Sequence, residues 1–216
     1  MTQAEISKLF LNMLEASTTT LQIFFLTLIF ALPLGLIVTL GRMSKQRVVN
    51  VIVRVYLLVV RGTPLLLQLL FVYFGYAILL NIRIERFTAA IIAMSLNYAA
   101  YFAEIYRSGI ESMPKGQYEA AKVLGFSKGQ TFFKIILPQV IKRILPPMGN
   151  EFMTLVKDTA LVTCIGVSEV YQLANKTVSE KGTMIPLVMA GVFYLVMNGV
   201  VSKVVQFFEK KLSYYR

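Results

Sequence analysis

Between Glu15 and Arg42 the chain carries no charge for 26 residues, and this stretch limits what it can fold into. As a helix rising about 1.5 Å per residue, it is long enough to cross the roughly 30 Å hydrocarbon core of a bilayer and still tilt. Lipid offers the backbone no hydrogen-bond partner, so a crossing segment of this kind is helical, and Pro33 and Gly35 are tolerated within it. The run is too long for a cleavable signal peptide. Composition agrees: 56% of residues are hydrophobic and only 15% charged, against about 25% charged in an ordinary soluble domain. The expected fold class is an all-α membrane protein.

Four more crossings are expected, giving five spans at about 16–41, 55–80, 87–106, 144–166 and 183–202 within a single transmembrane domain, 1–216. The second is interrupted by Arg61-Gly62-Thr63-Pro64, where Thr-Pro forms an N-cap and first-turn pair that restarts or kinks the helix. Only about 25 Å of helix follows Pro64, which therefore lies towards one interface and not at the midplane. The third carries Asn97 near its centre, and the fourth is apolar enough to cross although it holds Glu151, Lys157 and Asp158. Residues 168–178, with Ser168 as N-cap, read as a short amphipathic helix at the interface.

With this topology fifteen lysines and arginines fall on one side and five on the other; Arg61 and Lys157 lie within spans. The rich side comprises Arg42, Lys45, Arg47 and Arg54, the run from Arg107 to Arg143, and Lys203, Lys210, Lys211 and Arg216. Positive charge accumulates on cytoplasmic loops, so the N-terminus is expected outside and the C-terminus in the cytoplasm. Placement between apolar runs also explains the net charge of +11 without nucleic acid. The single cysteine, Cys164, allows no intramolecular disulfide, and without histidine neither a zinc site nor a Ser-His or Cys-His pair is available. No internal repeat appears, as many secondary transporters require, and no constellation for a membrane-embedded enzyme.

The loop at about 112–135 is the distinctive polar segment. Residues 117–124 are good helix formers, with Glu119 expected early enough to meet the positive end of the helix dipole. Gly125 stands where a left-handed cap ends a helix, and Ser127 with Gln130 has capping-box spacing. Ala120 and Ala121 are expected to leave a small-residue face that another protein can approach closely. Glu119-Ala120-Ala121, Gly125, Ile135 and Leu137-Pro138 together resemble the cytoplasmic loop signature of ABC-importer permeases, with every position matched at its spacing.

The resemblance runs from about Ser17 to Lys211. It includes Arg61-Gly62-Thr63-Pro64-Leu65, Gln68-Leu69-Leu70, Gly116-Gln117, Gly149-Asn150-Glu151-Phe152 and Leu155-Val156-Lys157-Asp158, which look like the polar amino-acid branch. It implies a type I importer in a bacterial cell membrane, taking up a polar L-amino acid by alternating access. Two permease chains, a second copy or a sister chain, would form the path. Two cytoplasmic ATPase subunits would carry ATP and magnesium, and an extracytoplasmic substrate-binding protein would deliver the amino acid. This chain itself is expected to bind no cofactor and catalyse nothing, since it has no phosphate-cradling glycine loop.

Ionisable residues at membrane depth are costly, so they count first as functional candidates. Glu151, Thr154 and Asp158 share a helical face, and with Arg143 as the cytoplasmic edge the midplane falls near Met153 or Thr154. Gln68 and Tyr73 on the second span, and Lys157, complete the substrate-path candidates; the competing reading for each is a packing hydrogen bond or internal ion pair. Asn97 reads as interhelical glue, Arg61 as a snorkelling cation, Glu104, Arg107 and Glu111 as a surface ladder, and Cys164 as packing.

Overall fold

The computed structural model describes residues 1–212, so the expectation placed on Arg216 lies outside the described residues. Helix α1, Gln3–Arg42, opens on a capping box in which the Thr2 hydroxyl accepts from the Glu5 N–H and the Glu5 carboxylate accepts from the Thr2 N–H. It starts well before the uncharged stretch. Its added turns bury Leu9 and Met13 against Val170, Ala174 and Ala190 further along the chain.

Helix α5, Arg86–Glu111, is the spine of the fold and packs along much of α1. Its buried face is rich in alanine (Ala89, Ala90, Ala93, Ala99, Ala100, Ala103), which lets the two backbones approach closely. Where they cross, a Cβ on Gly35 would stand 3.0 Å from the Phe102 Cβ. Glu85 caps α5; the Thr88 and Phe87 N–H groups that it accepts from hold its carboxyl below the usual carboxylate range.

The second span differs from the expected 55–80. A helix, α2, already begins inside the basic stretch at Arg47–Gly62, and the chain turns through 110° at Thr63-Pro64. It then continues as α3, Leu65–Leu70, a widened π-turn over Phe71–Gly75, and α4, Tyr76–Leu80. The helix restarts at this point as expected, but Pro64 itself is the N-cap, and Thr63 Oγ1 donates back to the Val59 carbonyl instead of capping. Tertiary packing sets the angle: α2 lays Leu57 against Ala100 and Ala103 of α5, with Val53, Tyr56 and Val60 flanking.

After α5 come α6, Lys115–Val123, and α7, Lys128–Gln130, which runs through a π segment, Thr131–Ile136, into α8, Leu137–Asp158. Pro138 has no N–H and would crowd a regular α-turn; the π segment just before it, with the Leu137 N–H on the Phe132 carbonyl, gives the ring room. A 3₁₀ segment, Thr159–Ile165, completes residues 144–166 and stops at Gly166, whose φ of +78° favours glycine.

Helix α9, Val170–Lys181, is the short helix expected near 168–178, but its N-cap is Glu169, not Ser168. Only a side chain at 169 reaches the Gln172 N–H. Helix α10, Ile185–Lys211, closes the described chain. Among the described residues α1, α5 and α10 are long and apolar enough to cross a membrane, and the bent pair of α2 with residues 65–79 adds a fourth span if counted as one.

Candidate functional site

The loop hairpin is built from two local rules. Pro114 starts α6, and the helix ends in a Schellman motif: the Phe126 N–H donates to the Ala121 carbonyl at 3.0 Å and the Gly125 N–H to the Lys122 carbonyl at 3.1 Å. Gly125 sits at φ +79°, the left-handed conformation this motif needs. The capping box then starts α7, with the Ser127 N–H on Gln130 Oε1 at 2.9 Å and the Gln130 N–H on Ser127 Oγ at 3.3 Å.

Two expectations for the hairpin need correction. Helix α6 begins at Lys115, so Glu119 lies beyond the first turn and gains little from the dipole. Ala121 is only 1% exposed and packs inward, leaving Ala120 alone of the pair at the surface. The exposed tip is more apolar than expected: Val123 is 87% and Leu124 74% exposed, with Tyr118 beside them. Ile135, Leu137 and Pro138 are half-buried at the root of the hairpin, where Ile135 packs on Met113, Ile136 and Val140.

Most polar candidates of the spans are already engaged. Gln68 Nε2 donates to the Val60 carbonyl at 2.8 Å, the Thr63 carbonyl at 3.1 Å and Thr63 Oγ1 at 2.9 Å, while Gln68 Oε1 accepts from Asn97 Nδ2 at 2.9 Å. Asn97 is thus the interhelical bond its sequence position implies, and Gln68 staples the break in the second span. Asp158 accepts from Tyr98 Oη at 2.8 Å, Tyr73 Oη accepts from Arg86 Nε at 3.3 Å, and Thr154 Oγ1 donates back to the Asn150 carbonyl at 3.0 Å.

Lys157 is exposed on the side of Tyr171 and Tyr194, away from this group. Glu151 is half-buried and has no hydrogen-bond or ion-pair partner among the described residues. Arg143 reaches the Ser112 carbonyl, past the end of α5. The centre of the uncharged stretch of α5, residues 87–103, falls within a turn of Asn97 and Tyr98 and so beside Asp158, about two turns from Glu151.

Residues 31–214 match the model of the binding-protein-dependent transport system inner membrane component. The arginine transport system permease protein ArtQ of Bacillus subtilis (strain 168) is 40% identical over 201 residues, covering 93% of this chain and 92% of ArtQ. The L-cystine transport system permease protein TcyB of the same organism is 36% identical over 198 residues, 91% of this chain and 84% of TcyB. A crystal structure of an amino acid ABC transporter with histidines superposes with a TM-score of 0.86 at 35% identity, covering 96% of each chain. The chain belongs to this permease family. Its fold is that of a type I ABC importer permease, and in such transporters separate ATPase subunits hydrolyse ATP and a binding protein delivers substrate.

One functional group of the permease escaped the sequence reading. Glu169 is fully buried, and its carboxylate accepts from Thr20 Oγ1 of α1, Thr163 Oγ1 of the 3₁₀ segment, its own helix at the Gln172 N–H, and Tyr194 Oη of α10. One side chain therefore ties together α1, the 3₁₀ segment, α9 and α10. Another group read too simply is Glu104. It pairs with Arg107 at 2.7 Å as the ladder implies, but Arg42 and Arg61 also approach it at 3.8 Å, so it joins α1, α2 and α5.

Replacing Glu169 with Ala leaves buried donors without an acceptor, and we expect a loss of about 2–3 kcal/mol. Glu169→Gln, which still accepts, should lose less. Thermal unfolding of the purified permease in detergent measures both; an unchanged midpoint for Glu169→Ala would remove the clamp.

Proposed function

We propose that this permease takes up a polar amino acid by alternating access and receives its energy through the hairpin at 119–138. The observation that carries this reading is the hairpin itself. A rigid Schellman turn and capping box present Val123 and Leu124, almost bare of contacts, at the tip of a segment that directly extends the spine helix α5. An apolar tip of this kind at the end of a polar loop suits insertion into a cleft of another protein. The substrate class follows from the relatives, whose names specify arginine and cystine.

On this reading the chain makes five spans in a bacterial cell membrane, with α8 and the 3₁₀ segment as the fourth. The N-terminus lies outside, and the hairpin and C-terminus lie in the cytoplasm. The excess of basic residues on the hairpin side supports that orientation. Two permease chains, identical or paired with a sister, sit on two ATPase subunits that bind ATP and magnesium; this chain binds neither. Ala120, Val123, Leu124 and Gly125 form the contact, Glu119 its polar edge, and Ala121, Ile135, Leu137 and Pro138 the packing that keeps it rigid. Of the substrate-path candidates Glu151 leads, because Gln68, Tyr73, Thr154 and Asp158 are committed to partners within the chain and Lys157 faces elsewhere.

Three experiments test this reading. With Cys164 replaced by Ala, a cysteine at the exposed Ser7 should react with an impermeant thiol reagent in intact or outer-layer-permeabilised cells, and one at Lys128 should not; the reverse pattern inverts the topology. Gly125→Val forces a β-branched residue into the left-handed region at a local cost of about 1–2 kcal/mol. Substrate-stimulated ATP hydrolysis in proteoliposomes should fall while membrane insertion persists, and full stimulation would exclude the hairpin as the coupling element. Glu151→Gln removes a charge but keeps size and hydrogen bonding. Uptake should weaken, with basal hydrolysis and assembly spared, and an uptake profile across acidic, neutral and basic amino acids that is unchanged by the substitution would assign Glu151 to packing.

A further inference from the structure

The arginines around the start of the second span are more numerous than the carboxylates they meet. Helix α1 ends at Arg42, and α2 folds back beside it, with Asn50 Nδ2 donating to the Arg42 carbonyl and Tyr56 Oη to the Leu96 carbonyl of α5. Glu104 spends its short contacts on Arg107, which also binds Glu111. Arg42 and Arg61 stand further off, each at 3.8 Å from Glu104, and Arg61 is held over the Tyr101 ring at 5.5 Å. Arg54 has no ion-pair partner among the described residues. Three guanidinium groups thus share two carboxylates, and the fourth, that of Arg54, pairs with neither.

Arg42, Arg54 and Arg61 line one open cleft of about 370 Å³ with Glu104, Leu57, Leu58 and Gly62, so three guanidinium groups face a single carboxylate there. Arg54 and Arg61 are seven residues apart and fall on nearly the same bearing of α2, at the border of its packed face. The face beyond them is apolar and exposed, carrying Val51, Val55 and Leu58. The cleft therefore offers an anion site bordered by an apolar ridge, at the level where the first span ends.

We propose that this cleft binds an anionic phospholipid, its phosphate held by Arg54 and Arg61 and its acyl chains lying along Val55 and Leu58. Guanidinium groups pair with phosphate oxygens in a planar, bidentate fashion, and basic pockets between membrane helices suit anionic headgroups. A free anion would use the arginines but not the apolar ridge. The bound lipid would fill the cleft between α1 and α2 and compensate the charge that Glu104 leaves over. Assignment to the cytoplasmic leaflet rests on the topology proposed above; binding itself does not, and the cysteine labelling tests the topology separately.

Native mass spectrometry of the purified permease in neutral detergent, titrated with phosphatidylglycerol, phosphatidylcholine or inorganic phosphate, tests the site. Phosphatidylglycerol should be retained at a concentration at least about fivefold lower than phosphatidylcholine. Arg54→Gln should abolish that preference, whereas Arg47→Gln, one helical repeat away and outside the cleft, should preserve it. Arg54 is exposed, so its replacement leaves the packed face of α2 intact. Equal retention of the two lipids, equal losses in both variants, or displacement of phosphatidylglycerol by millimolar phosphate would each overturn the proposal. Loss of the lipid when a second permease chain assembles would also do so, by assigning the cleft to a subunit contact.

Discussion

A carbonyl freed from its helix inside an apolar layer has no water to bond, and this chain interrupts its helices repeatedly where that matters. At Thr63-Pro64 the break frees the carbonyls of Val60 and Thr63, and the single amide of Gln68 takes both. Its own oxygen is then satisfied by Asn97 on α5, so the kink is fastened to the spine and not only closed. Before Pro138 the repair is different: the backbone widens to a π segment and keeps its bonds within itself. At the end of α8 the helix tightens to 3₁₀, and the Val167 N–H returns to the Val162 carbonyl at 3.3 Å across Gly166.

These repairs converge on one helix. Helix α5 receives Thr39 Oγ1 on its Ala103 carbonyl at 3.0 Å, Tyr56 on Leu96, Gln68 on Asn97, Asp158 on Tyr98, and Arg42 and Arg61 on Glu104. Beyond its end, Arg143 of α8 donates to the Ser112 carbonyl at 2.6 Å. Helices α1, α2, α3 and α8 are thus each pinned to α5 by directional bonds as well as by packing. The hairpin follows α5 directly in the chain and returns through α8, which Arg143 ties back to the same point. The hairpin is therefore joined to the spine and to α8 at one point.

What could be read from the sequence was what local chemistry decides. Gly125, Ser127 and Gln130 lie within six residues, and their roles follow from turn and cap rules alone. The uncharged stretch before Arg42 and the helix around Asn97 follow from length and polarity. The bend at Pro64 was legible as a break but not as 110°, because the angle depends on where Leu57 finds Ala100 and Ala103. The side on which Ala121 lies depends on the fold-back of the second helix of the hairpin, which its own neighbours do not specify. Glu169 was invisible for the same reason: Thr20 is 149 residues away and Tyr194 is 25. In sequence it looks like the second residue of an interfacial helix.

Shared helical spacing also grouped Glu151, Thr154 and Asp158, and here the structure divides what periodicity joins. A carboxylate in a low-dielectric setting must find donors, change its protonation or face something mobile. Asp158 has taken the first course with Tyr98, as Glu169 has with its four donors. Glu151 has not, although it stands on the same helix only two turns away. If its role were packing, the chain would be expected to supply it with a donor, as it does for Asp158, Glu104 and Glu169. On the proposed reading the missing donor arrives from outside the chain, as an ammonium or guanidinium group in transit or as a residue of the second permease. The apolar tip at Val123 and Leu124 and the surplus arginines by α2 pose the same question of partners, each in its own chemistry. A clamp that is satisfied internally can hold a shape, whereas a group left unsatisfied at the surface of that shape is where a partner can supply energy or selectivity.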